Sequence, residues 1–535
     1  MSSRKEKRAK GKVEPDSNKL ESKILQYPKV IIFIFLLLTY LQVVGFDFVY
    51  LDDDLIILDN HQKISSLQNI PAAFSSQYGF NQGSPYYRPL VTLSFIFDAQ
   101  LSKKSPTIYH ITNLLFHFVA AIILFKIFLL LNFPRITSLF TTLIFTVHPL
   151  LTNAVVWIVG RNDLIVGIFC LASFLFFIKY INARQSNYLV YHFITFLLGM
   201  FSKETAIILP LICLAYLYLF SRMDLNYKFT AKFFMGWIGL GLLFYIIRSN
   251  VVVDTKNLIF GIPALIENIS SIPDVLSKIF FPFNISVLPT FSMLRVILGL
   301  IFLVTLFVIP FVIRDISKKM YLFGLFWFFA LIIPGLFILY SNQSERFSYL
   351  DTRAYLPFIG ILISINSLFI KKLTIPISSL ITRLLPVIIL LGVLTFFQSK
   401  KYENAIVFAQ SAVESNPEKA FFYQKLADYY FSQNQFDKAV IYLEKTIEKS
   451  PNSHQHHKNL ALAYYSLGNQ SKALESLESS FRLQPRDFEV LSALIKINYQ
   501  LNQFDRSLYY ADKVIEFGGS VDSVLYNDLK SLQKK

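Results

Sequence analysis

Eleven apolar segments constrain the fold of this chain more than any other feature. Most of them approach the length of about 20 residues that a helix needs to cross the hydrocarbon of a bilayer. They lie near 27–48, 110–131, 136–151, 162–181, 188–201, 205–221, 232–249, 293–313, 321–340, 354–370 and 378–397. The pattern predicts a polytopic membrane bundle, all-α, with about 11 spans and an end near residue 397.

The composition excludes two other classes of protein. Hydrophobic residues make up 54% of the chain and Phe occurs 54 times, which is more apolar surface than a soluble fold could hide from water. The net charge of +16 would suit a nucleic-acid-binding protein. However, Lys and Arg are scattered among short loops instead of forming one basic face, so no nucleic-acid partner is expected.

The basic loops predict the orientation in the membrane. Residues 1–26 form a Lys- and Arg-rich tail, and further basic residues occur in alternate loops, as the positive-inside rule requires of a cytoplasmic side. The first apolar run is interpreted as a retained signal anchor. With an odd number of spans, the chain after residue 397 and the loops 49–109 and 250–292 are expected on the outer face.

The last part of the chain, residues 398–535, carries a helical repeat. Pro417, Pro451 and Pro485 are spaced by 34 residues, which is the period of the tetratricopeptide repeat (TPR). Small and aromatic residues recur at matching offsets between them. The period predicts a short α-solenoid on the extracytoplasmic side, with a concave surface suited to binding a protein partner.

Neither a disulfide framework nor a metal centre is indicated. The two cysteines, Cys170 and Cys213, both lie in apolar runs. The histidines of "HQHH" (His454, His456 and His457) lack accompanying ligands and are interpreted as the solvated start of a helix.

Polar side chains gather at the predicted outer ends of the helices. Because dehydration makes polar residues costly at membrane level, these side chains are candidates for a function. The alternative is that they snorkel to the interface or form structural pairs such as Arg161 with Asp163. The candidates are Asp52, Asp53, Asp54, Arg88, His110, Asn113, His117, His148, Arg161, Asp163, Lys203, Glu204, Arg346 and Arg353.

The order of the motifs resembles the transmembrane-and-TPR (TMTC-like) family. The motifs are "YLDDDLIILDN", "NIPAAFSS", "YYRPLVTLSFIFD", "YHITNLLFHFVAAIILF", "HPLLTNAVVWIVGRNDLI", "SKETAIILPL" and a distal "YLP", followed by the repeats. Asp52, Asp53 and Asn60 match the acidic pair and the asparagine of the family pattern, and Asp54 falls at a variable position. Asn153 replaces the usual glutamate, and "SYLDTRAYLP" is a loose version of its motif.

This resemblance implies a GT-C glycosyltransferase fold, an activity like protein O-mannosylation and a polyprenyl-phosphate sugar as donor. By the same resemblance Asp52 is the expected catalytic base, and Asp53 orients the base or the acceptor. A leaving phosphate needs cations, and the acceptor needs polar contacts. The side chains expected to contact the lipid phosphate or the acceptor are Arg88, His148, Arg161, Lys203, Glu204, Arg346 and Arg353. No cofactor is indicated firmly, although a divalent cation could bridge the carboxylates.

Three alternatives bear on function and location. The first is a non-catalytic membrane scaffold that recruits proteins through its repeats. The second, a transporter, is disfavoured because the polar residues do not cluster at the membrane midplane. The third concerns location: a bacterial inner membrane is expected, with the endoplasmic reticulum as the alternative. The expected partners are a lipid-linked sugar, membrane lipids and an acceptor protein.

Overall fold

A computed structural model describes residues 26–49, 51–81, 83–102, 104–221, 227–252, 258–288, 290, 292–340, 351–369 and 377–532. The chain divides into two compact units, Met1–Ala405 and Ile406–Lys535.

The first unit is almost entirely helical, as predicted. Its α-helices are α1 Pro28–Tyr40, α2 His61–Ile64, α3 Ile70–Ser75, α4 Pro89–Ser102, α5 Thr107–Leu130, α6 Arg135–Val147, α7 Thr152–Val156, α8 Arg161–Ala183, α9 Ser186–Ser202, α10 Leu209–Phe220, α11 Tyr227–Val251, α12 Ile262–Asn268, α13 Ser271–Phe280, α14 Met293–Val312, α15 Lys318–Ile332, α16 Tyr355–Ser367 and α17 Ile377–Ser399. Two strands, β1 Leu258–Phe260 and β2 Ile338–Tyr340, add a short antiparallel ribbon in which Leu258 pairs with Tyr340.

Each of the eleven predicted apolar runs contains a helix, but fewer helices are long enough to span a membrane. Within the described ranges seven helices satisfy both length and hydropathy, or eight if the bent pair α6 and α7 forms one span. The seven are Pro28–Gly45, Thr107–Leu130, Ile158–Ala183, Ala231–Val251, Met293–Val312, Lys318–Phe337 and Ser379–Tyr402. The count differs from 11 because α9, α10 and α16 are shorter. The chain is an integral membrane protein.

Proline and glycine shape the packing of these helices. Pro149 follows the end of α6, where the chain bends by 47° before α7, because proline cannot continue the hydrogen-bond ladder. Gly324 of α15 faces Gly360 of α16 so closely that a Cβ at Gly324 would lie 2.5 Å from the Gly360 carbonyl oxygen. Small residues thus let two helix backbones approach, as is common in membrane bundles.

The second unit is a solenoid of paired helices, which confirms the TPR prediction. Its helices are α18 Ala405–Ser415, α19 Ala420–Ser432, α20 Phe436–Lys449, α21 His454–Ser466, α22 Gln470–Leu483, α23 Phe488–Gln500, α24 Phe504–Glu516 and α25 Ser523–Leu532. The turns after α19, α21 and α23 place Asn434, Gly468 and Asn502 at positive φ, again 34 residues apart. Asn and Gly tolerate this left-handed conformation, which ends the first helix of each pair.

Candidate active site

The three aspartates lie just beyond the first span, in a backbone of unusual conformation. A 3₁₀ turn ends α1 at Gly45, an extended segment follows, and a π-helical turn runs over Asp54–Leu58. Leu51, directly before Asp52, has a φ of 79°. A left-handed conformation costs a residue with a Cβ roughly 1–2 kcal/mol. Such strain persists only where the surroundings enforce it, and it occurs preferentially at functional sites.

Asp53 is the most enclosed of the three acids. Its side chain is 1% exposed, and its Oδ2 accepts a hydrogen bond of 3.1 Å from the backbone N–H of Val49. Burial raises the pKa of Asp53 well above its ordinary value, the Val49 hydrogen bond opposes this rise, and the charges of Asp52 and Asp54 add to it. These contacts suit a residue that holds the turn in place more than one that meets a substrate.

Asp52 is half-buried and lies within electrostatic reach of a cation. Burial raises the pKa of its carboxyl group, and the Arg88 guanidinium opposes the rise. A carboxylate with a raised pKa is a stronger base than an ordinary aspartate, which is the property that proton abstraction from a hydroxyl requires. Of the two predicted catalytic acids, Asp52 is the more accessible.

Arg88 and Glu204, both predicted from the sequence, contact each other. Arg88 donates from Nε and Nη2 to Oε2 of Glu204 at 3.3 and 3.1 Å. Its guanidinium also lies over the rings of Tyr86 and Tyr78, 4.1 and 5.4 Å from their centroids. Arg88 is therefore held in position by an ion pair and two aromatic faces.

Lys203 is a second cation near Arg88. Its Nζ contacts both carboxylate oxygens of Asp163, at 2.6 and 2.7 Å. Burial lowers the pKa of Lys203, Asp163 opposes this, and the like charges of Arg88 and Arg353 lower it further. Arg88, Lys203 and Arg353, here called the cation cluster, are thus electrostatic neighbours although they are far apart in sequence.

Arg353 is half-buried and donates from Nη1 to the Gly335 carbonyl at 3.0 Å. It belongs to a 3₁₀ turn, Asp351–Ala354, that leads into α16. The predicted Arg346 lies outside the described residues.

Arg161 has a different environment from the one expected. The proposed pair of Arg161 with Asp163 does not form, because Asp163 binds Lys203 and Arg161 Nη1 contacts Asp98 Oδ2 at 2.6 Å. Arg161 is 0% exposed and also donates to the Asn113 side chain and the Tyr109 carbonyl. Most of its N–H groups are therefore used within the protein, which favours a structural role. Asp98 ends the motif "YYRPLVTLSFIFD" but was not among the candidate site residues, so this pairing was not predicted.

His148 likewise uses both ring nitrogens within the protein. Its Nε2 donates to the Ile279 carbonyl at 3.0 Å, and its Nδ1 accepts from the Leu150 backbone N–H at 3.2 Å. The ring also packs on Phe358 with centroids 4.6 Å apart. These contacts give the predicted substrate role of His148 little support.

Two features of the site were missed in the sequence. Tyr78 is buried beside Arg88 and Asp52, and burial raises the pKa of its hydroxyl. It was overlooked because an isolated tyrosine in a loop carries no pattern.

The second missed feature is a buried ion triad. Lys278 Nζ contacts Asp274 at 2.7 Å and Asp351 at 2.8 Å, and all three side chains are buried. The triad ties α13 to the turn that carries Arg353. The spacing of Asp274 and Lys278 by four residues on a helix was the available signal.

Among the described residues no group of three or more His, Cys, Asp or Glu side chains has an arrangement that could hold a metal ion. The histidines of the repeats are dispersed: His454 lies near Asp487, while His457 hydrogen-bonds the Pro451 carbonyl.

Parts of this chain are similar in sequence to known proteins. A family model described as "Anaphase-promoting complex, cyclosome, subunit 3" matches residues 398–480, within the helical repeats. Mouse protein O-mannosyl-transferase TMTC3 is 41% identical over 93 residues, and its human counterpart is 42% identical over 89. Either match covers 17% of this chain. Protein O-mannosyl-transferase tmtc2 of Xenopus laevis is 34% identical over 152 residues, 28% of this chain.

The chain is similar to TMTC proteins over part of its length. The matches span only part of these relatives, 10% of the length of either TMTC3 protein and 18% of the Xenopus protein. The similarity to these relatives is therefore limited to a short stretch of sequence, and the helical membrane unit and the repeats are described from this chain's own structure.

Proposed function

We propose that this protein is a glycosyltransferase that moves a sugar, mannose by analogy with the names of its relatives, from a polyprenyl-phosphate carrier to a protein hydroxyl. The observation that carries the proposal is the placement of Asp52 beside the cation cluster in a membrane-embedded unit. A base and several cations in one region match the two charges that such a transfer must manage. The O-mannosyl-transferase relatives support the same reaction class.

In this reaction the acceptor oxygen attacks the anomeric carbon of the sugar while the bond from that carbon to the phosphate oxygen breaks. Asp52 takes the proton of the acceptor hydroxyl, and the polyprenyl phosphate leaves with the bonding electrons. Arg353 and Lys203 stabilise the negative charge that grows on the phosphate. The charge of Arg88 lowers the pKa of Asp52, and Glu204 and Tyr86 fix the position of Arg88.

We place the site on the extracytoplasmic face, where the pattern of basic loops puts the segment after the first span. The TPR unit then lies on the same side, in the bacterial periplasm or the lumen of the endoplasmic reticulum, and docks the acceptor protein. The lipid part of the donor remains in the bilayer, so only its phosphate and sugar need to reach Asp52.

The test is a transfer assay with purified full-length protein, polyprenyl-phosphate mannose labelled in the sugar, and a peptide with a single threonine. Label should move to the peptide. In the absence of the peptide, free mannose should be released slowly. Neither transfer nor release, from folded protein, would contradict the enzyme assignment and favour the membrane scaffold.

Replacing Arg353 by Ala should weaken donor binding. Hydrogen bonds to charged groups contribute about 1.5–3 kcal/mol, so the donor KM should rise roughly 10- to 100-fold while the acceptor KM changes little. Arg383→Ala, which removes an exposed arginine on α17, is the matched control. An unchanged donor KM in Arg353→Ala would remove Arg353 from the phosphate site.

The pH profile should reveal the influence of Arg88 on Asp52. A general base works when deprotonated, so kcat/KM should fall as the pH decreases through the pKa of Asp52, which burial raises above about 3.9, the ordinary aspartate value. Arg88→Gln removes the charge that lowers this pKa and should move the acid limb to still higher pH. Lys104→Gln makes the same charge change at an exposed position and should leave the limb in place. If Arg88→Gln left the acid limb unchanged, Arg88 would not influence the pKa of the catalytic base.

A further inference from the structure

A pocket of about 430 Å³ lies next to the acidic turn but shares none of its acids. Its lining includes Lys63, Asn69, Ser76, Gln77, Phe80 and Asn81. The volume is within the range of about 300–1,000 Å³ typical of ligand-binding clefts. Nothing in the reaction described above uses these side chains.

The pocket and the catalytic region share one wall, the turn Gln77–Asn81. Gly79 and Phe80 in this turn have φ values of 64° and 59°. A Cβ added at Gly79 would lie 2.5 Å from Cγ2 of Ile56, so the turn packs directly on the π-helical segment that begins at Asp54. Tyr78, between the pocket residues Gln77 and Phe80, is buried beside Arg88. A ligand in the pocket would therefore lie one layer of protein from Asp52.

The lining has the chemistry of a site for polypeptide. Asn69, Gln77 and Asn81 each carry a carboxamide, which matches the donor and acceptor of a peptide bond. Asn69 already donates from Nδ2 to the Lys63 carbonyl, and Oε1 of Gln77 accepts from the Gly83 backbone N–H. The Asn69 Oδ1 and the Gln77 Nε2 take no part in these two bonds. Lys63 is the single charged group among the lining residues, so it favours a neutral or acidic segment over a basic one.

We infer that this pocket binds an extended, neutral or acidic segment of the acceptor polypeptide, next to the hydroxyl that Asp52 deprotonates. The inference rests on the proposed function. The lipid-linked donor fits the pocket less well, because a phosphate would meet one cation here and three in the cation cluster. The TPR unit would select the acceptor protein, and the pocket would select the sequence around the modified residue.

The experiment uses the full-length protein and fluorescent peptides that carry one threonine flanked by Glu or by Lys residues. Peptide affinity is measured by anisotropy, and donor release and transfer are measured separately. The wild type should bind the Glu-flanked peptide more tightly. Asn81→Ala should weaken peptide binding about tenfold, consistent with one lost hydrogen bond of ordinary strength, without changing donor release. Lys63→Glu should reverse the preference between the two peptides.

Two further variants and the separate assays distinguish a loss of peptide binding at the pocket from a folding defect and from failure of the proposed reaction. Gln68→Ala, at an exposed position outside the pocket, should bind peptide normally. Gln77→Ala should behave like Asn81→Ala, but it also removes the bond to Gly83, so Asn81→Ala is the decisive change. Normal peptide binding by Asn81→Ala and Lys63→Glu would overturn the pocket, whatever the transfer assay shows. A raised donor KM in these variants, with peptide binding intact, would also overturn it. Loss of peptide binding in an enzyme without transfer would keep the pocket and reject the reaction.

Discussion

Asp52→Asn should lower the rate of sugar transfer by about 10²–10⁴-fold, the usual cost of losing a general base. The amide keeps the size of the side chain but cannot take the proton of the acceptor. Because the phosphate is assigned to the cation cluster, the donor KM should remain close to that of the wild type. The measurement is transfer of labelled mannose to a threonine peptide, with donor affinity determined in parallel.

Asp54→Asn is the matched control for this change. It alters the neighbouring carboxylate within the same turn, at the position where the resemblance to TMTC proteins implies variability, and it should cost far less. Near-normal turnover in Asp52→Asn with a large loss in Asp54→Asn would show that Asp54, and not Asp52, is the catalytic base. Normal turnover in Asp52→Asn, Asp53→Asn and the double variant would reject the catalytic interpretation of the acidic turn.

Arg161→Gln should destabilise the membrane unit severely. The guanidinium is fully buried, and its loss would leave the Asp98 carboxylate buried without its cation. Breaking a buried ion pair from one side typically costs about 3–5 kcal/mol. The expected result is a clear fall in the thermal unfolding midpoint in detergent, with a donor KM unchanged in the protein that remains folded.

Arg135→Gln removes an exposed arginine at the start of α6 and should leave the unfolding midpoint unchanged. The opposite pattern in Arg161→Gln, with normal stability and weakened donor binding, would return Arg161 to the phosphate site.

Arg161 and its neighbour Asp163 illustrate what could be predicted from the sequence and what could not. The helices and the TPR period follow from local patterns of hydrophobicity and spacing, so both were predicted. Proximity along the chain was a poor guide to ion pairs. Arg161 and Asp163 are two residues apart on one helix, where side chains point in different directions, and each pairs with a residue from another segment. Lys278 and Asp351 meet across 73 residues, a contact that no local signal reveals.

The same reasoning explains which parts of the site the sequence suggested. Asp52, Arg88, Lys203 and Glu204 were selected because charged residues next to apolar runs are costly and conspicuous. Tyr78 was not, because its role depends on a turn that folds back onto Arg88. The pocket beside it consists of ordinary polar residues whose grouping is visible only in three dimensions.

The left-handed residues at positions 434, 468 and 502 have an implication for how this protein could change over evolutionary time. Because each helical pair turns at the same point with the same backbone geometry, a duplicated 34-residue unit would join its neighbours without a new type of connection. Gene duplication could thus lengthen the solenoid in whole units and enlarge the range of client proteins. The proposed reaction centre, which lies in the other unit, would need no accompanying change.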